Sequence, residues 1–187
     1  MTSPADPLAG KIRRMNSWTA PEIQRTEGPG NGDEHQALND FLQFHRETLL
    51  LKCSGLTGEQ LMLKAVPTSQ LTLLGLICHL PEVERWWFRR QFDQDETLGD
   101  LYCTDEYKDG DFDLASAENA EADFATYVRE IELADAVTVG RSLDERFPGR
   151  RHDFTLRWVY LHMIEEYARH NGHADMLREA IDGVTGE

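Results

Sequence analysis

His162, Glu166 and His170 recur at four-residue steps, with Glu165 beside them and His173 three residues beyond, in the stretch HMIEEYARHNGHAD. On a helix, positions i, i+4 and i+8 stack along one face. Leu156, Val159, Met163 and Leu177 flank that face, which places the polar stripe at or near a helix-bundle interior. A carboxylate buried beside imidazoles is costly unless it is paired or holds a cation. The Glu166-x3-His170 spacing could carry two ligands to one metal from successive turns. A third would come from elsewhere, and His79, in the apolar turn GLICHLPEVERWW, is the best-placed histidine. Two imidazoles and one carboxylate suit Zn2+ or a similar divalent ion with coordination positions left for substrate. The blander reading is that Glu-x3-His pairs on helices are solvated i,i+4 contacts and that a lone histidine on an apolar face is a satisfied core residue. Spacing alone leaves both open.

Other candidates are weaker. Arg85 and Trp86 could line the mouth of a substrate pocket, although with Trp87 they also read as bundle packing beneath a surface arginine. Cys78 adjoins His79, but helix neighbours diverge by about 100°, so it reads as a buried inert thiol. His45 reads as structural. No glycine-rich phosphate loop, GxSxG or HExxH is present.

The elements that must position these groups are helical. A segment from about residue 33 to 53 carries Leu38, Phe41, Leu42, His45 and Leu49 at helical spacing. A second, capped by Thr68 or Ser69, runs towards Phe92, with a kink or restart expected beside His79 because Pro81 lacks an amide hydrogen. A third spans about 116–139, and a fourth about 155–181, stopping by Gly183. The acidic stretch DQDETLGDLYCTDEYKDGDFD between the second and third is a candidate lid or rim. No sustained strand alternation occurs. The expected fold is all-α, a four-helix bundle over residues 33–187, preceded by a partly flexible arm, residues 1–32, rich in Pro, Gly, Ser and Thr and anchored by Trp18. Met15 is an alternative natural start to Met1.

At 187 residues and a formal net charge of −15, the chain suits one domain and is poorly matched to a phosphate backbone; nucleic acid is not an expected partner. Three dispersed cysteines give neither a zinc ribbon nor a disulfide framework, which fits a reducing cytoplasm. No signal peptide or membrane span is expected.

The stretches LTLLGLICHLPEVERWWFRRQF and LRWVYLHMIEEYARHNGHADMLREAIDGVTGE resemble an actinobacterial branch of the DinB/YfiT-like metalloenzyme superfamily. With WTAPEI and KCSGLTGEQL, the likeness extends from about Trp18 to the C-terminus. It implies a four-helix bundle whose metal is held by three side chains of the second and fourth long helices. Many relatives use three histidines, two of them as H-x3-H on the last helix. Here the earlier of that pair is Glu166 and the later His170, so the His-Glu-His set is similar to that of the mycothiol-dependent maleylpyruvate isomerases. The ligands so implied are His79, Glu166 and His170. His173 replaces a Gln of many relatives, and with His162, Arg85 and Trp86 it is a candidate for supporting a ligand or touching substrate. Cys78 stands where the branch usually has Arg, and Pro81 where it has Ala. The resemblance implies a metal-dependent S-transferase joining mycothiol to a small electrophile, with Zn2+ the expected ion and Ni2+ an alternative. A metal-dependent isomerase or hydrolase, or a non-catalytic stress or interaction protein with a structural metal, are the rival implications. Monomer and homodimer both remain open.

Overall fold

The computed structural model of the protein describes residues 18–28 and 30–186. The first 17 residues of the expected arm, and with them the choice between Met1 and Met15, lie outside the described residues.

Four long helices carry the architecture: α1 (Glu34–Cys53), α3 (Leu73–Glu84, continued by a π-helix, Arg85–Phe92), α5 (Ala120–Thr138) and α6 (Leu156–Asp182). Between them lie two single-turn helices, α2 (Gly58–Leu61) and α4 (Gly110–Asp113), a 3-10 turn (Ala117–Asn119) and a two-stranded antiparallel ribbon, β1 (Arg146–Phe147) with β2 (Phe154–Thr155). Helix α6 packs along α1, α3 packs along α5, and α3 also touches α6. The protein is therefore an all-α bundle, with that ribbon its only sheet among the described residues.

Capping chemistry sets the ends of the helices. The Asp33 carboxylate accepts the Gln36 amide at 2.9 Å, and the Thr155 hydroxyl accepts the Trp158 amide at 3.2 Å. Gly183 ends α6 at φ +77°, donating to the Glu179 carbonyl. The second long helix begins later than Thr68 or Ser69: Thr72 caps it, accepting from the Gly75 amide at 3.0 Å, while the Ser69 hydroxyl serves the Leu71 amide. The restart offered as an alternative to a kink beside His79 does not occur. Helix α3 runs through Pro81, and the backbone widens only from Arg85, as shown by the i→i−5 bond from the Asp93 amide to the Phe88 carbonyl.

Leu42, Leu49, Leu156, Val159 and Met163, which the periodicity placed on the inner faces of the first and last helices, are fully buried, as are Leu74 and Ile77 of α3. Phe41 departs from that pattern at 63% exposed. Its helix buries Arg46 instead, because Glu84 and Asp135 neutralise the guanidinium with bonds of 2.7–2.8 Å. The described start of the chain is fastened to the bundle. Trp18 packs edge-on against Phe124, and Ala20 exchanges backbone bonds with Gly55 and Leu56.

Candidate functional site

The apolar turns of α3 and α6 bring His79, Glu166 and His170 together: one donor atom from each lies within 4.8 Å of the others. Glu166 and His170 share a face of α6 because they are four residues apart, and their Oε2 and Nε2 are 3.5 Å apart. Ligands at about 2.0–2.1 Å from one tetrahedral ion lie roughly 3.4 Å from each other, so this pair is already spaced for chelation. His79 reaches across from α3, its ring centroid 4.9 Å from that of His170.

Each histidine is braced from behind. Asp111 Oδ2 lies 2.7 Å from His79 Nδ1 and is itself 7% exposed. With that nitrogen engaged, Nε2 is the one left for a ligand. His170 Nδ1 lies 3.4 Å from His173 Nδ1. Burial first, then the neighbouring His79 and His173, pushes the His170 pKa down to about 4, keeping its ring in the neutral, ligating form. Two oriented imidazoles and one carboxylate, half-buried and converging, fit a divalent ion. A carboxylate behind a ligating histidine is a recurrent device for fixing tautomer and ring orientation. A second donor group, His162 with Glu165 and Glu166, is less enclosed, and Glu165 is engaged by Arg169.

His79 and Glu166 open into a cleft of about 470 Å³. Trp86, Trp87 and Phe112 form its apolar walls, and Asp100, Cys103, Lys108 and Asp109 contribute to its rim. The acidic loop is thus a wall of the cleft and not merely solvated surface. Glu82 of α3 secures it, accepting the amides of Leu101, Tyr102 and Cys103 at 2.8–3.3 Å. Gly110 then lets the chain turn inward to Asp111. A Cβ there would stand 2.3 Å from the Tyr102 carbonyl oxygen.

His162 lines the cleft, stacked on Trp158 with its Nε2 3.9 Å from Glu166 Oε1. Trp86 is part of the wall, with the Arg90 guanidinium 4.7 Å over its ring. Arg85 is engaged elsewhere: its guanidinium binds Glu130 at 2.7 and 3.1 Å and the Gly99 carbonyl, and it does not line the cleft. Cys78 is fully buried beside Asp123 and Tyr102, its thiol pushed far up in pKa by burial. Cys103 is also raised, chiefly by burial.

Sequence reasoning missed Asp111. It sits in a run of acids that differ only in context, and its one local signal is the Gly110–Phe112 frame around it. That frame marks an inward turn only once the neighbouring carbonyl is known.

A family model described as Mycothiol-S-transferase matches residues 37–183. The chain belongs to the mycothiol S-transferase family. The match covers α1 from residue 37, the other three long helices in full and every residue of the candidate site. No curated protein and no solved structure matches the chain. Membership in the mycothiol S-transferase family ties the protein to a small-molecule thiol. No helix among the described residues is long and apolar enough to cross a membrane.

Proposed function

We propose that this protein is a metal-dependent S-transferase that joins mycothiol to a small electrophile. The supporting observation is the convergence of His79, Glu166 and His170, the first two of them lining one cleft, in a chain that belongs to the mycothiol S-transferase family. A divalent ion held by these three residues, Zn2+ or alternatively Ni2+, would supply Lewis acidity that lowers the pKa of a thiol reaching it.

The remaining work falls to the chain. Asp111 holds the His79 ring with Nε2 towards the cleft, and the buried setting of His170 keeps its lone pair available. Trp86, Trp87 and Phe112 shield one side of the cleft from water and offer flat faces to the electrophile. In the transfer, the thiol proton leaves to bulk water and the sulfur lone pair forms the new C–S bond. The leaving group departs with the electron pair of the bond it breaks.

Turnover of a chromogenic electrophile by zinc-loaded protein tests this reading. Mycothiol should support conjugation well and free cysteine poorly, since the cleft must also seat the sugar portion. Equal rates with any small thiol would remove mycothiol as the cosubstrate. If metal-containing protein turns over with no thiol at all, the transferase reading falls and the isomerase or hydrolase alternative gains. Absence of any catalysis would point to a non-catalytic protein with a structural metal.

A further inference from the structure

The cleft is unevenly charged. Glu82, Asp100, Asp109, Asp111 and Glu166 all line it, and Lys108 is the one lysine or arginine among its lining residues. Most of these carboxylates are held in place by partners: Glu82 by three backbone amides, Asp100 by Arg90, Asp111 by His79. Glu82 and Asp111 are thereby fixed in the wall, while Arg90 offsets the more exposed Asp100. The cations of the adjoining π-helix face other duties. Arg85 and Arg89 both bind Glu130, and Arg90 is pinned between Asp100 and the Trp86 ring. The walls between these charges are aromatic.

We propose that the cleft selects its electrophile by charge, accepting flat uncharged or cationic molecules and rejecting those that carry a carboxylate. An anion entering here gives up hydration and meets fixed like charge on several sides, both of which raise its free energy. An uncharged aromatic or alkenyl electrophile loses little and gains contact with Trp86, Trp87 and Phe112. The inference rests on the transferase reading of this site, and it disfavours a dicarboxylate isomerase. The opposing effect is that a divalent ion at His79, Glu166 and His170 would attract a carboxylate long enough to reach it, so the outcome must be measured on zinc-loaded protein.

Two measurements on the full zinc-loaded chain separate the possibilities. The first is binding without chemistry, followed by tryptophan fluorescence with phenyltrimethylammonium and with benzoate, which share a ring and differ in charge. The cation should bind about 10-fold or more tighter at low salt, with the gap narrowing at high salt because the rim is exposed to screening. Asp109→Lys should narrow it as well. The second is kcat/KM with mycothiol for 1-chloro-2,4-dinitrobenzene and for 4-chloro-3,5-dinitrobenzoate, each divided by its uncatalysed rate. The neutral compound should be favoured by a similar factor. Benzoate binding as tightly as the cation, or equal normalised turnover of the two electrophiles, overturns charge selection while leaving the transferase intact. Clear discrimination between the probes with no turnover of either electrophile overturns the transferase and leaves the charge-selective cleft.

Discussion

Two polar clusters share helix α3 and satisfy their charges in opposite ways. Five residues beyond His79, Glu84 is 0% exposed and grips Arg46, itself 1% exposed, through two bonds of 2.7 and 2.8 Å; Asp135 takes a further guanidinium hydrogen, and the Tyr127 hydroxyl donates to the Arg46 carbonyl. Opposite charges close on one another there. At His79, Glu166 and His170 the converging groups are all lone-pair donors, braced behind by Asp111 and His173. The first cluster completes itself within the chain. The second, on the proposed function, is completed by a cation that the chain does not supply. Buried polarity therefore reads as architecture or as function according to whether the partners are of opposite or of the same kind.

The sharpest way to break this contrast is to remove one side of the self-contained pair. Arg46→Met leaves Glu84 buried without its counter-charge, and urea unfolding should show a loss of about 3–5 kcal/mol. Adding Glu84→Leu should recover most of it. A loss below about 1 kcal/mol for the single change would mean the pair is not what fixes the bundle there.

The corresponding change in the other cluster should act on metal and not on folding. Glu166→Gln keeps size and helix but loses the charge, so zinc affinity by isothermal titration should fall by at least about 10–100-fold. The urea midpoint of zinc-free protein should stay close to that of the parent. His162→Gln, on the same face one turn earlier, should bind zinc like the parent. The reverse pattern would show that the ligand set is wrong. Asp111→Asn should cost less than Glu166→Gln, near the lower end of about 10–100-fold, in competition with a chromogenic chelator. Parent-like affinity would reduce Asp111 to a loop contact.

The smallest expected effect belongs to His45, on the α1 face packed against Asn171. Burial holds its pKa below the ordinary 6.5. The unfolded chain therefore takes up this proton first, and stability should decline as pH falls through about 6.5, flattening below the folded pKa. His45→Gln should remove that part of the slope; an unchanged profile would show that His45 does not contribute.

Much of this was legible because it depends on local rules. Asp33, Thr155 and Gly183 mark helix ends by side-chain capping and left-handed backbone, which need no tertiary information. The convergence of Glu166 and His170 follows from helical spacing alone. The start of α3 was not so readable: Thr68, Ser69 and Thr72 can all cap, and burial of Leu73 and Leu74 decides among them. Two-residue strands are too short to show a period, and the widening at Arg85 has no side-chain marker. Asp111 reaches His79 across 32 positions, through a loop whose path is set by Glu82 on another element.

That path has a practical corollary. The loop is tied down at residues 101–103 by Glu82 and again at Gly110 and Asp111, while residues 104–109 between those moorings are exposed. Side chains in this span can be exchanged or recharged, whereas its length must stay, because the Tyr107 carbonyl accepts the Gly110 amide and the Asp109 carbonyl accepts those of Phe112 and Asp113. Under the proposed function, a library of side chains confined to these six positions would retune what enters the cleft while His79, Asp111, Glu166 and His170 stay constant.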